Sequence, residues 1–127
     1  MPRKKILAID DEEDLIQLIR FGLEGAAYRV LSADSAESGL ELIRKSKPDL
    51  ILLDVVLPEM DGLELLRLVR PEVEAPIILV SGQRSGGERA LGLKAGADDF
   101  LAKPFSLDEL RAYVARHLGP RGKTPPP

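Results

Sequence analysis

The sequence contains no cysteine and a single histidine. Without cysteine there is neither a disulfide framework nor a thiolate metal site. The histidine, His117, falls late in the last helical stretch, far along the sequence from the acids. A charged ring is favoured at such a helix end, and His117 is not a candidate catalyst. Long basic runs are also missing: 18 Lys and Arg face 21 Asp and Glu, for a formal charge of -3. This segment is therefore not expected to grip nucleic acid or an anionic membrane. Nor does a long apolar run open the chain, because "MPRKKILAIDD" holds only four consecutive apolar residues, Ile6 to Ile9, before its acids. That is too few for a signal peptide or a membrane span, and a cytoplasmic location is the expectation. No internal repeat is evident. What the chain does have is 127 residues, 44% of them hydrophobic, enough for one domain with a real core and too few for two.

Apolar runs at "KILAI", "YRVLSA", "LILLD", "IILVS" and "DDFLA", bounded by polar or glycine-rich turns, read as strands. Helical spacing lies between them. It predicts a helix over 14–23 with Leu15, Ile16, Ile19 and Leu23 on one face, and another over 35–47 with Ala36, Leu40 and Ile43. A third, over 62–70, carries Leu63, Leu66 and Val69, and a shorter, glycine-flanked one runs over 88–95. The last begins at "SLDE", where Ser106 and Glu109 have capping-box spacing, and continues with Leu110, Tyr113 and Val114 on one side. Strand and helix alternating in this way imply an α/β fold, a parallel sheet with helices on both faces. The first, third and fourth strands are nearly all apolar, as strands buried on both faces should be. The tail "GPRGKTPPP" has no periodicity and is expected to lie outside the domain as an extended segment.

In such a sheet, ligands bind outside the carboxyl ends of the strands, so the residues that end the strands matter most. The first strand ends at Asp10 and Asp11, the third at Asp54 and the fourth at Ser81, and the fifth is followed by Lys103. Any one aspartate before Pro58 and Gly62 reads equally as a turn residue. Three carboxylates together favour a hard divalent cation, and magnesium suits a site of few carboxylates that shares oxygens with a phosphate. A cation also explains why "DDEED" crowds like charges at the mouth of the core. Glu12, Glu13 and Asp14 are read differently, as solvated charges that complement the amino end of the first helix. Ser81 and Lys103 supply the donors that a transferred phosphoryl group needs.

These motifs, "IDDEED", "PDLILLDVVLPEMDGLELL", "ILVSG", "GADDFLAKPF" and "LDEL" in this order from Lys5 to about Leu118, resemble the receiver domain of two-component response regulators. The resemblance implies a flavodoxin-like (βα)5 doubly wound sheet of strand order 2-1-3-4-5, with a receiver domain over 1–119 and a proline-rich tail or linker over 120–127. It implies that Asp54 accepts phosphate from a sensor histidine kinase or phosphotransfer protein. Magnesium would be bound by Asp11 and Asp54, by Asp10 through water, and by the backbone carbonyl of Val56. Ser81 and Lys103 would contact phosphoryl oxygens, and Phe100 would stand where the family's mobile aromatic does. Val56 and Gln83 would flank the water that removes the phosphate. The implied partners are the kinase and a downstream effector, with a possible dimer through the fourth helix, fifth strand and fifth helix.

Some positions depart from the family's common residues. Ser81 replaces a frequent threonine but keeps the hydroxyl. Phe100 replaces a frequent tyrosine, so an inward state would be held by packing alone. Tyr113 stands where a dimer-forming arginine is common. Two other readings are weighed against the phosphoacceptor. A receiver that acts only as an interaction module would not need the full set Asp10, Asp11, Asp54, Ser81 and Lys103. A magnesium-dependent phosphatase with an aspartate nucleophile usually needs a second aspartate two residues on, where this chain has Val56. The chain is therefore expected to be a signalling phosphoacceptor rather than an enzyme.

Overall fold

The structure, a computed structural model, describes residues 3–82 and 86–119, with side chains left aside at 86–88. Gln83 and the tail 120–127 lie outside the described residues. The strands are β1 (Lys5–Ile9), β2 (Arg29–Ala33), β3 (Leu50–Asp54), β4 (Ile77–Ser81) and β5 (Asp99–Ala102). The helices are α1 (Glu13–Glu24), α2 (Ala36–Ser46), α3 (Gly62–Val69), α4 (Gly86–Lys94) and α5 (Leu107–Leu118), and a short 3-10 turn, Arg70–Glu72, follows α3. All pairings are parallel and the sheet runs β2-β1-β3-β4-β5. This is the flavodoxin-like arrangement expected.

The apolar runs divide by residue parity, because successive strand side chains point to opposite faces. Leu7, Ile9, Ile51, Leu53, Ile77 and Leu79 pack on one face with Ile43, Leu66 and Val69. Ile6, Ala8, Leu50, Leu52, Ile78 and Val80 pack on the other with Ile16, Ile19, Leu23, Leu110 and Val114. Both faces are covered, so β3 and β4 are buried at every position.

Helix ends follow local chemistry. Ser35 caps α2 and Asp61 caps α3 through their side chains, and Ser106 and Glu109 form the reciprocal capping box of α5. α4 begins two residues earlier than its spacing predicts, at Gly86. Glycines are poor helix formers and give no apolar signal, so the sequence pattern alone hides this turn.

Long-range polar contacts fix the amino-end pole of the sheet. Arg70 donates to the carbonyls of Gly96 (3.0 Å), Val73 (2.9 Å) and Ala75 (2.9 Å), and to Asp98 Oδ2 (2.8 Å). The same Asp98 oxygen accepts the N–H of Ile77 at 2.8 Å. The end of α5 is held by Lys4 Nζ on the Leu118 carbonyl (2.9 Å) and by the Tyr28 hydroxyl on the Gly119 carbonyl (2.5 Å). On the edge strand β2, Arg20 of α1 donates to the Val30 carbonyl (2.7 Å) and to Ser32 Oγ (3.1 Å). His117 also has a partner that its place in the sequence conceals. Its Nε2 lies 3.0 Å from Oδ2 of Asp99, and Arg116 Nη1 lies 2.9 Å from the same oxygen.

Candidate functional site

Strand register assembles the opposite, carboxyl-end pole. Ile9 pairs with Leu53, so Asp10 and Asp54 leave neighbouring strands at one level. Asp54 pairs with Val80, which places Ser81 one step beyond, and Ser81 pairs with Ala102, which delivers Lys103 to the same edge. The crevice lies between β1 and β3, where the order of strands reverses, the place such sheets bind ligands.

Asp10 and Asp54 are almost fully buried, at 4% and 5% exposure. One oxygen of each carboxylate is taken by a backbone donor two residues on, the N–H of Glu12 at 2.9 Å and that of Val56 at 3.2 Å. The other oxygens face Lys103, whose Nζ lies 3.1 Å from Asp10 Oδ2 and 3.5 Å from Asp54 Oδ2. Lys103 Nζ also lies 3.2 Å from Glu12 Oε1. The Lys103–Pro104 bond is cis, and the Lys103 N–H donates to the Ser81 carbonyl at 2.7 Å.

Burial first, and the Asp10 charge second, push the Asp54 carboxyl up to about 6, against the opposing pull of Lys103 and the Val56 N–H. Burial alone would lower Lys103. The hydrogen bond and charge of Asp10, with Asp54 and Glu12 behind, carry it above its ordinary value instead. The pocket therefore holds more negative charge than one ammonium neutralises. Carboxylate oxygens of Asp10, Glu12 and Asp54 lie within 4.8 Å of one another. Hard oxygen donors with an excess of negative charge fit a magnesium ion.

The loop after Asp54 folds back on its own strand. Gly62 donates its N–H to the Val55 carbonyl at 2.7 Å, and Val56 bridges to Asp61. A Cβ on Gly62 would collide with the Asp54 carbonyl oxygen and the Val55 backbone. Gly62 thus serves close approach to the end of β3.

The family model for the response regulator receiver domain matches residues 6–115. The chain belongs to that family. The receiver is 41% identical over 112 residues to the alkaline phosphatase synthesis transcriptional regulatory protein PhoP of Bacillus subtilis (strain 168), covering 87% of this chain and 47% of that protein. It thus spans about half the length of this curated relative. Among solved structures it is similar to a two-component response regulator from Clostridium difficile, with TM-score 0.89 and 31% identity over 91% of this chain and 96% of that one. It is also similar to the BeF3-activated receiver domain of RstA from Klebsiella pneumoniae, with TM-score 0.87 and 32% identity over 91% and 98%. This chain is a receiver domain of a two-component response regulator, a signalling domain. No helix among its described residues is long and apolar enough to cross a membrane.

The receiver brings together Asp10, Asp54 and Lys103 as their positions at the strand ends predict. Ser81 is buried beside them at the end of β4. Val56, two residues beyond the end of β3, turns its side chain outward and is 62% exposed. Phe100 points inward and is buried in the core layer of Leu53 and Leu79. The two acids that follow Asp10 lie differently. Asp11 is exposed and outside the close carboxylate group, whereas Glu12, read as a solvated helix-end charge, joins it. The chain alternates direction as it leaves β1, so residues 10 and 12 share a side. That i, i+2 spacing was the available signal.

Proposed function

We propose that this receiver is switched by phosphorylation of Asp54 and that Asp10, Asp11, Asp54 and the Val56 carbonyl hold the magnesium ion that phosphorylation requires. The observation that carries the reading is the nearly buried Asp54 carboxylate at the sheet's switch point, facing Lys103 and Asp10. An Asp54 oxygen attacks the phosphorus of a phosphohistidine on a sensor kinase or phosphotransfer protein. The P–N bond breaks, its electrons return to the imidazole, and the product is an acyl phosphate. A carboxylate needs no general base, and such transfers depend mainly on positioning and charge neutralisation. Bound magnesium supplies the larger part of that neutralisation. Lys103 and the Ser81 hydroxyl contact the arriving phosphoryl oxygens, and Phe100 moves in response.

The domain is taken as 1–119, with 120–127 as tail or linker. A downstream effector is the expected output partner. The name of the Bacillus relative points to transcriptional control as one class of output. The surface of α4, β5 and α5 is the proposed route to that effector, and to any dimer. With Val56 two residues beyond the acceptor, an external phosphate ester would find no evident acid there, so chemistry is confined to the receiver's own phosphate. Val56, which is exposed, and Gln83 set its lifetime.

Incubation with a small phosphodonor and magnesium should add one phosphoryl group, read by intact mass. Asp54→Asn should remain unlabelled, and EDTA should abolish labelling in the wild type. Labelling that persists in either case overturns the assignment.

A further inference from the structure

Glu12 occupies the cap position of α1, yet its side chain accepts no backbone N–H from the first turn. Glutamate is not among the residues preferred at that position. Its carboxylate reaches across to Lys103 instead, although 63% of the Glu12 side chain is exposed. Lys103 has two further partners, Asp10 and Asp54, whose side chains are 4% and 6% exposed. These are the carboxylates that a magnesium ion would share. An ammonium and a dication on the same oxygens repel strongly where water is largely excluded, so the cation must displace Lys103 from both. Glu12, at the rim, is the partner that the displaced ammonium can keep.

We infer that Glu12 is a positioning residue for Lys103: it takes over the ammonium when Asp10 and Asp54 turn to the cation, and so favours magnesium binding while keeping Lys103 beside the acceptor. The inference rests on the reading of Asp10 and Asp54 as magnesium carboxylates. In the absence of the cation, Lys103 is neutralised by two buried acids and Glu12 adds little. Once they are engaged, the Glu12 pair is the ion pair left to the lysine among the described residues. The coupling therefore passes through Lys103, which separates it from a direct pull of the Glu12 charge on the metal.

Magnesium chloride titrations of the full chain, followed by the amide resonances of Val56 and its neighbours, distinguish the two. Glu12→Gln should weaken magnesium binding about five-fold, near the upper end for one exposed ion pair. It removes no cap, because the Glu12 side chain provides none. Lys103→Met should tighten binding by deleting the competing ammonium. In the Lys103→Met background, Glu12→Gln should change affinity by less than about two-fold. An equal loss in both backgrounds means that Glu12 acts on the metal directly and overturns the inference, as does an unchanged affinity in the single variant. A wild type that shows no saturable binding, or an Asp54→Asn variant that binds normally, overturns the magnesium reading itself. That outcome is visible before any Glu12 variant is made.

Discussion

Asp54 and Asp99 are both buried, and their surroundings drive them in opposite directions. The Asp54 carboxyl is pushed up to about 6, by burial first and then by Asp10. The folded state therefore binds its proton more tightly than the unfolded chain does, and stability falls as pH rises from the ordinary carboxylate range through about 6. Burial would also raise Asp99, but His117, the Phe100 N–H and Arg116 together hold it below its ordinary value. Its contribution is fully present above the unfolded carboxylate value and is lost as pH falls through the folded one. Asp54→Asn should thus stabilise the protein at pH 7 in EDTA, by about 2 kcal/mol, and the gain should shrink as the pH is lowered below 6. Asp99→Asn should destabilise it at pH 7 by about 1–2 kcal/mol, since it weakens the charge-assisted bond from Arg116 and the contact with the His117 ring. Urea melts of both variants at several pH values give the signs directly. A gain for Asp54→Asn that grows on acidification would reverse the account of that group.

At the scale of elements, β1, β3 and β4 were legible because burial on both faces leaves an unbroken apolar run, and each run stops at a polar residue where the sheet meets solvent. Helices α2 and α3 announced themselves through the apolar spacing of Ala36, Leu40 and Ile43 and of Leu63, Leu66 and Val69, and α5 also through the capping-box spacing of Ser106 and Glu109. What stayed hidden were contacts between elements distant in sequence. Neither the Asp99–His117 pair nor the Arg70 cluster has a local pattern, since each joins segments that only the completed sheet brings together. That Glu12, and not Asp11, reaches Lys103 was hidden for another reason: adjacent carboxylates are chemically alike, and only the direction of the chain beyond β1 separates them. Arg70 shows how much such a contact can carry. It joins the end of α3 to the turns that lead into β4 and β5 by satisfying carbonyls at 73, 75 and 96 together with Asp98. Arg70→Ala leaves three carbonyls and a carboxylate short of a donor. It should cost about 3 kcal/mol, measured by denaturant unfolding. Arg70→Lys should recover only part, because an ammonium lacks the planar fork of guanidinium donors.

Taken as a whole, the molecule has two poles of different character. At the amino ends of the strands, polar groups are matched and the last helix is tied to the sheet by Lys4 and Tyr28. At the carboxyl ends, like charges are held together and one lysine is shared among three acids. A ligand that relieves the second pole stabilises the entire domain by mass action, by about 2.7 kcal/mol at a hundred times its dissociation constant. Magnesium should therefore raise the melting temperature of the wild type at pH 7, and EDTA should reverse the rise. The increment should diminish below pH 6, where protons compete for Asp54, and should be largely absent in Asp54→Asn. A melting temperature indifferent to magnesium at pH 7 would mean that the acidic pole does not bind it at these concentrations.

The contact of Arg20 with β2 bears on how the protein behaves among its own kind. A strand at the margin of a sheet displays unpaired backbone groups, which can template the addition of a strand from another chain and so begin aggregation. In β2 the Arg29 N–H turns inward to the Lys4 carbonyl at 2.9 Å, so the next residue, Val30, turns its carbonyl to the open side. There the guanidinium of Arg20 already sits. An incoming strand must displace a charged donor before it makes its first bond, and it meets the exposed Arg29 side chain beside that point. One arginine on the neighbouring helix thus obstructs strand addition at this margin of the sheet, and crowded solutions of the protein should gain colloidal protection from a residue outside the strand itself.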